Sequence, residues 1–173
     1  MFHITRHDGV GGKSLFVDGF NVAEKLRKVD PEAFEVLSTT PIYGHYIDPK
    51  AGIHLKPYFP VPMLVVSKDD SEGYPKGTVI QVRFNNDDRA PLTNLPFAKV
   101  PKFYRALRAF NEILRSQEME LYYQLTKGTV VVFDNFRVLH GRTSFTGHRT
   151  LVASYLNHDD VRSRAATLLS KKA

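Results

Sequence analysis

The sequence predicts a mainly β domain with flanking helices, an antiparallel barrel or jelly roll rather than a doubly wound sheet. Three observations carry this reading. Short β-branched and aromatic runs recur, among them Ser14 to Val17, Thr78 to Phe84, Thr129 to Phe133 and Leu151 to Leu156, separated by Gly, Asn and Asp turn residues. Few segments repeat apolar residues at helical spacing. Strands and helices do not alternate in the βαβ order that a parallel sheet requires.

In chain order, Phe2 to Thr5 reads as a strand and Gly9 to Gly12 as a turn cluster that also takes in His7-Asp8. Ser14 to Val17 is the next strand, closed by Asp18-Gly19. Phe20, Ala23 and Leu26 share one helical face, and Pro31 opens a second short helix with Phe34 and Leu37 on one side. Both helices are expected to pack as a lid on a sheet. Ile42 to Ile47 alternates loosely, and Pro57, Pro60 and Pro62 confine the next stretch to edge strand and loop. Thr78 to Phe84 alternates cleanly and empties into the polar cluster Asn85 to Arg89. Lys99 to Arg115 is the strongest helix, with Phe103, Leu107, Phe110 and Leu114 on one stripe and Pro101 in the first turn. Tyr122 to Leu125 re-enters the sheet. Thr129 to Phe133 reads as a strand buried on both faces, reversed at Asp134-Asn135. Val138-Leu139 then delivers His140 at a strand end before Gly141, and nine residues later Arg149 opens the run to Leu156.

A chain of 173 residues, 42% hydrophobic and 24% charged, has the balance of one globular domain. It has no cysteine, so a metal would need His and carboxylate ligands. No apolar run approaches the length of a membrane span, and no apolar segment opens the chain. The net charge of +6 is spread over Arg27-Lys28, Lys99 to Arg108 and Arg162 to Lys172 without forming one basic face. A nucleic-acid or membrane partner is therefore not expected, whereas a small anionic ligand is compatible.

The segment FDNFRVLHGRTSFTGHR, together with GVGGKSLFVDGF, resembles the Fe(II)- and 2-oxoglutarate-dependent dioxygenases of carnitine synthesis, relatives of the taurine dioxygenases. The resemblance runs from Phe2 to about Arg164 and is weakest between Ile47 and Lys76. It implies a double-stranded β-helix, a small-molecule substrate, Fe(II), 2-oxoglutarate and ascorbate as cofactors, and a mitochondrial matrix location; it allows a homodimer. The implied reaction hydroxylates a trimethylammonium amino acid, converting N6-trimethyllysine to 3-hydroxy-trimethyllysine, with γ-butyrobetaine as the alternative substrate. The short loop between His140 and Arg149 is closer to the trimethyllysine type.

By this resemblance His140 is the C-terminal histidine of an iron site built from two His and one carboxylate. A lone strand-end histidine is otherwise most often a core or surface residue. Arg149 matches the arginine that takes the distal carboxylate of 2-oxoglutarate, a task suited to a planar, permanently charged fork. Ser14 matches a hydroxyl donor to the same molecule, usually threonine. Tyr155 matches one wall of an aromatic cage around the trimethylammonium group, with a buried strand tyrosine as the structural alternative. Asn85, or Asn86 if the register slips by one, matches a substrate-binding asparagine; both could equally be turn formers. The family's His-x-Asp pair lies further upstream than the thirteen residues before Ser14, so these two ligands are expected to precede Met1. His158-Asp159-Asp160 follows His140 among helix-start residues and is rejected as a substitute, as is His7-Asp8. Residues 1–173 are thus read as one catalytic domain lacking its N-terminal part and unable to turn over alone, or as a truncated non-catalytic binding module.

Overall fold

The computed structural model describes residues 1–70 and 73–170. In chain order the elements are β1 (Phe2–Asp8), β2 (Ser14–Asp18), α1 (Gly19–Val29), α2 (Pro31–Thr39), β3 (Pro41–Ile42), β4 (Tyr46–Asp48), β5 (Ile53–Leu55), β6 (Val61–Pro62), β7 (Leu64–Val66), β8 (Val79–Val82), α3 (Val100–Leu114), β9 (Leu121–Tyr123), β10 (Val130–Val131), β11 (Val138–Arg142), β12 (His148–Ala153) and α4 (His158–Ser170). Two three-stranded sheets run in the orders β10-β1-β12 and β11-β2-β9, and three two-stranded pairs are β3-β6, β4-β5 and β7-β8. Lys171 and Lys172, which end the last basic stretch, lie outside the described residues.

The chain divides into two compact units, one holding residues 1–14, 123–133 and 142 onward, the other residues 15–122 and 134–141. The second contains the main core. Its helices α1 and α2 start where the sequence supplies an acceptor for orphan backbone donors. The Asp18 carboxylate accepts from the N–H groups of Phe20 and Asn21 at 3.0 and 3.4 Å, and Asp30 accepts from that of Ala33 at 3.0 Å, with Pro31 in the first turn of α2. One face of each helix is then buried: Val22, Ala23 and Leu26 of α1, Ala33 and Leu37 of α2, and Phe103, Ala106, Leu107, Phe110 and Leu114 of α3. These pack with Met63, Leu64, Val79 and Val82. Every apolar stripe residue expected in α3 is in the core, each large side chain worth about 1.5–3 kcal/mol of transfer free energy.

The first unit is built on the sheet β10-β1-β12, with Ile4 and Leu125 buried and the Phe2 and Phe133 rings in edge contact at 5.1 Å. Here the structure corrects two expectations. The strand expected over Thr129 to Phe133 is only Val130–Val131 and is not buried on both faces: Val130 and Val132 are exposed, because β10 is an edge strand paired with β1 alone. His7-Asp8 lies in β1 and not in a turn, since pairing with β12 continues to Asp8 opposite His148.

Candidate functional site

Arg149 stands on β12 directly opposite His7 of β1. The turn between β1 and β2 closes over it. Gly11 and Gly12 adopt φ of 85° and 68°, a region costing other residues about 1–2 kcal/mol. A Cβ on Gly12 would lie 3.2 Å from Phe145 Cβ and 3.4 Å from Arg149 Cδ, so the side-chain-free residue leaves room for the arginine stem. The turn is tied to the 143–146 segment by four bonds. Gly12 N–H donates to Ser144 O at 2.9 Å, Thr143 N–H to Lys13 O at 2.9 Å, Thr146 N–H to Val10 O at 3.1 Å, and Lys13 N–H to Thr143 Oγ1 at 3.0 Å. Ser14, two residues after Gly12, is 5% exposed.

Arg149 is half-buried and has no ion pair among the described residues. Burial, and secondarily the charge of Arg142, lower its pKa. Arg142 itself lies over the Phe145 ring at 4.7 Å. A partly desolvated guanidinium with a like charge as neighbour lacks a compensating anion, which a carboxylate ligand would supply.

His140 lies on β11 in the other unit, exposed, with Nδ1 3.3 Å from Val138 O. The expected Asp134-Asn135 reversal is present: the Asp134 carboxylate accepts from Phe136 N–H at 2.8 Å and its carbonyl from Val138 N–H at 2.8 Å. Arg137 grips Asp18 with Nε and Nη2 at 3.1 and 2.7 Å, while Gly19 N–H donates to Arg137 O at 2.8 Å. A Cβ on Gly19 would meet that carbonyl at 2.9 Å. Asp18 therefore serves two purposes: it caps α1 and anchors the strand that bears His140.

That anchor gives a pH prediction. Hydrogen bonds from Arg137 lower the Asp18 pKa most, followed among the lowering causes by the Asn21 N–H, against a burial cost that raises it. A depressed carboxylate contributes stability that is complete above its unfolded value of about 3.9 and is lost as pH falls through the folded value. Asp18→Ala should cost about 0.5–2 kcal/mol at neutral pH, the range for a lost N-cap. In urea titrations the gap to the unaltered chain should close only below about pH 4; a gap already closing near pH 6 would assign the effect to another group.

The other candidates are less prepared. Asn85 accepts from Asp87 N–H at 2.9 Å and donates to Asp88 Oδ2 at 2.6 Å, and Asn86 accepts from Arg89 at 2.9 Å. Both amides form the turn. Tyr155 is 83% exposed beyond the end of β12, so the alternative of a buried strand tyrosine does not hold. His140 and Arg149 are on strands with different partners, β11 with β2 and β12 with β1, and not on paired neighbouring strands as their spacing suggested. His158 to Asp160 begin α4, as expected. Among the described residues no group of three or more His, Cys, Asp or Glu could hold a metal ion. The residues present therefore do not by themselves fit an iron centre. Sequence reading missed the contacts of His7 and Gln124 and the Asp18–Arg137 pair, which no local pattern announces.

A family model described as "Taurine catabolism dioxygenase TauD, TfdA family" matches residues 1–155. The chain is 39% identical over 168 residues to the mitochondrial trimethyllysine dioxygenase of Mus musculus, covering 97% of this chain and 38% of the relative. It is 37% identical over 165 residues to the trimethyllysine dioxygenase of Meyerozyma guilliermondii, with 95% and 39% covered, and 34% identical over 177 residues to the gamma-butyrobetaine dioxygenase of Homo sapiens, with 97% and 42% covered. The chain thus spans well under half the length of these relatives. Among solved structures it is similar in fold to AAD-2 in complex with Mn(II) and N-oxalylglycine, with a TM-score of 0.56 at 13% identity, covering 87% of this chain and 59% of that one.

Proposed function

Because the chain belongs to the taurine catabolism dioxygenase TauD, TfdA family, we propose that it carries the 2-oxoglutarate-holding part of an Fe(II)-dependent oxygenase that hydroxylates N6-trimethyllysine. The observation that carries this reading is Arg149, half-buried and without a counter-ion among the described residues, under a turn in which Gly12 leaves room for its stem. Its fork takes the distal carboxylate of 2-oxoglutarate, and Ser14 adds a hydroxyl donor. When bound, 2-oxoglutarate would supply two electrons to dioxygen, losing carbon dioxide and taking up one of the two oxygen atoms to become succinate, with the other oxygen atom left for the hydroxylation. His140 is the candidate iron ligand among the described residues; the remaining ligands, and ascorbate as reductant, belong to the same proposal. Tyr155 offers a ring face to the trimethylammonium group, worth about 0.5–2 kcal/mol, and Asn85 or Asn86 an amide to its polar end.

The same reading makes residues 1–173 part of one catalytic domain with a double-stranded β-helix, and places it in mitochondria, as the name of the murine relative states for that protein. Trimethyllysine is preferred to γ-butyrobetaine on the higher identity to the trimethyllysine enzymes. A binding module without turnover is the second reading, favoured by the lack of a three-ligand group among the described residues.

Titration of the metal-free chain with 2-oxoglutarate tests the proposal. Saturable one-to-one binding is expected, with glutarate competing because it keeps the distal carboxylate and its spacing. Binding that glutarate does not displace would remove Arg149 from the distal-carboxylate role.

A further inference from the structure

The first unit is short of acid around Arg149. Its residues outside α4 and the segment that follows, 1–14, 123–133 and 142–157, include five lysines and arginines (Arg6, Lys13, Lys127, Arg142 and Arg149) and one carboxylate, Asp8. That carboxylate is taken by Arg6, whose Nε donates to it. The two segments tied together over Arg149, residues 9–14 and 142–148, hold no acid at all.

One of these cations is placed to act on Arg149. Arg142 ends β11, and its guanidinium carbon lies 4.7 Å from the centroid of the Phe145 ring. Phe145 is bridged to Gly11, and its Cβ is 3.2 Å from the spot that a Cβ on Gly12 would take, itself 3.4 Å from Arg149 Cδ. Phe145 thus carries Arg142 on its ring and adjoins the turn over the arginine stem. The charge of Arg142 is felt at Arg149, where it adds to burial in lowering the pKa. Arg142 Nη1 donates to Thr143 O at 3.4 Å, and neither arginine pairs with a carboxylate among the described residues. The other two cations act elsewhere: Lys127 lowers the pKa of Asp8, and Lys13 enters the turn through its backbone. Two like charges held near each other without an anion repel, and an anion that enters beside one of them relieves both.

We infer that Arg142 is a second cation of the 2-oxoglutarate site, favouring the ligand through its field while Arg149 makes the contact, an inference that rests on the oxoglutarate reading of Arg149. The ligand brings two carboxylates, and one guanidinium fork offsets only one of them. A charge that acts without contact is felt over about one screening length, roughly 8 Å in physiological salt, and the Phe145 ring holds Arg142 in place for this. Arg142 differs from Arg149 in what salt does to it: a field across solvent is screened, whereas a bidentate contact is screened much less.

Calorimetric titration of the metal-free chain with 2-oxoglutarate, for the unaltered protein, Arg142→Gln and Arg142→Lys, tests this at ionic strengths of about 0.01 M and about 1 M, where the screening length is about 30 and about 3 Å. At low salt Arg142→Gln should bind about two- to five-fold more weakly, and Arg142→Lys, which keeps the charge, should match the unaltered chain. At high salt all three should coincide. Equal affinities at low salt would overturn the inference. So would a deficit of Arg142→Gln that persists at high salt, or one shared by Arg142→Lys, since either assigns the effect to the shape of the Phe145 stack. An unaltered chain that binds no 2-oxoglutarate removes the reading of Arg149 and this inference with it, whereas binding that is indifferent to Arg142 removes this inference alone.

Discussion

Arg149→Leu should weaken 2-oxoglutarate binding by about 10- to 150-fold, the loss of 1.5–3 kcal/mol that a charged hydrogen-bonding group supplies. It should do so without lowering the melting temperature. Arg149 has no ion pair among the described residues, and burial already lowers its pKa, so its charged form bears a desolvation cost that the ligand-free chain does not recover. Leucine fills much of the stem's volume and carries no such cost. Arg149→Lys keeps the charge but not the fork and should fall between the two in affinity. Calorimetric titration with 2-oxoglutarate and thermal melts of the three chains decide the matter. A parallel fall in affinity and melting temperature for Arg149→Leu would make the arginine a structural residue and remove the binding assignment.

Phe110→Ala should be among the most destabilising single changes in the helical unit, costing about 3–5 kcal/mol. Phe110 is fully buried on α3, and its ring centroid lies 5.6 Å from that of Phe84. Truncation removes a large apolar surface and leaves a cavity that α1 and α2, held by their Asp18 and Asp30 caps, are poorly placed to fill. Since small domains have about 5–15 kcal/mol of total stability, the change removes a large part of it. Phe97→Ala is the control: that ring is 89% exposed and its loss should stay within about 0.5 kcal/mol. Hydrogen exchange of the α1 and α3 amides, read alongside urea unfolding, localises the effect. A cost for Phe110→Ala below about 1 kcal/mol would mean that the three-helix core is not what holds this unit together.

The helices were legible because their signals are local. Pro31 sits where a missing N–H costs nothing, and the apolar residues of α3 recur at the period of one helical face. The short strands β2 and β8 were legible for a similar reason, as β-branched runs closed by turn residues. Thr129 to Phe133 misled because an unbroken apolar run does not reveal whether a strand has neighbours on both sides; β10 has β1 alone. His7-Asp8 misled because the glycines that follow suggested a turn, while pairing with β12 extended the strand through them.

The candidate residues divide along the same line. His140 and Arg149 could be singled out as candidates from the sequence, because a histidine between RVL and GR and an arginine nine residues on are properties of one continuous segment. So could the amphipathic stripes, whose physics acts over three or four residues. What tertiary structure alone decided is which distant groups meet: His7 opposite Arg149, Gln124 against His7, and Arg137 on Asp18, 119 residues away along the chain. Strand register and the backbone conformation of Gly12 set those encounters, and both depend on pairing between segments far apart in sequence, where no short-range pattern carries the information.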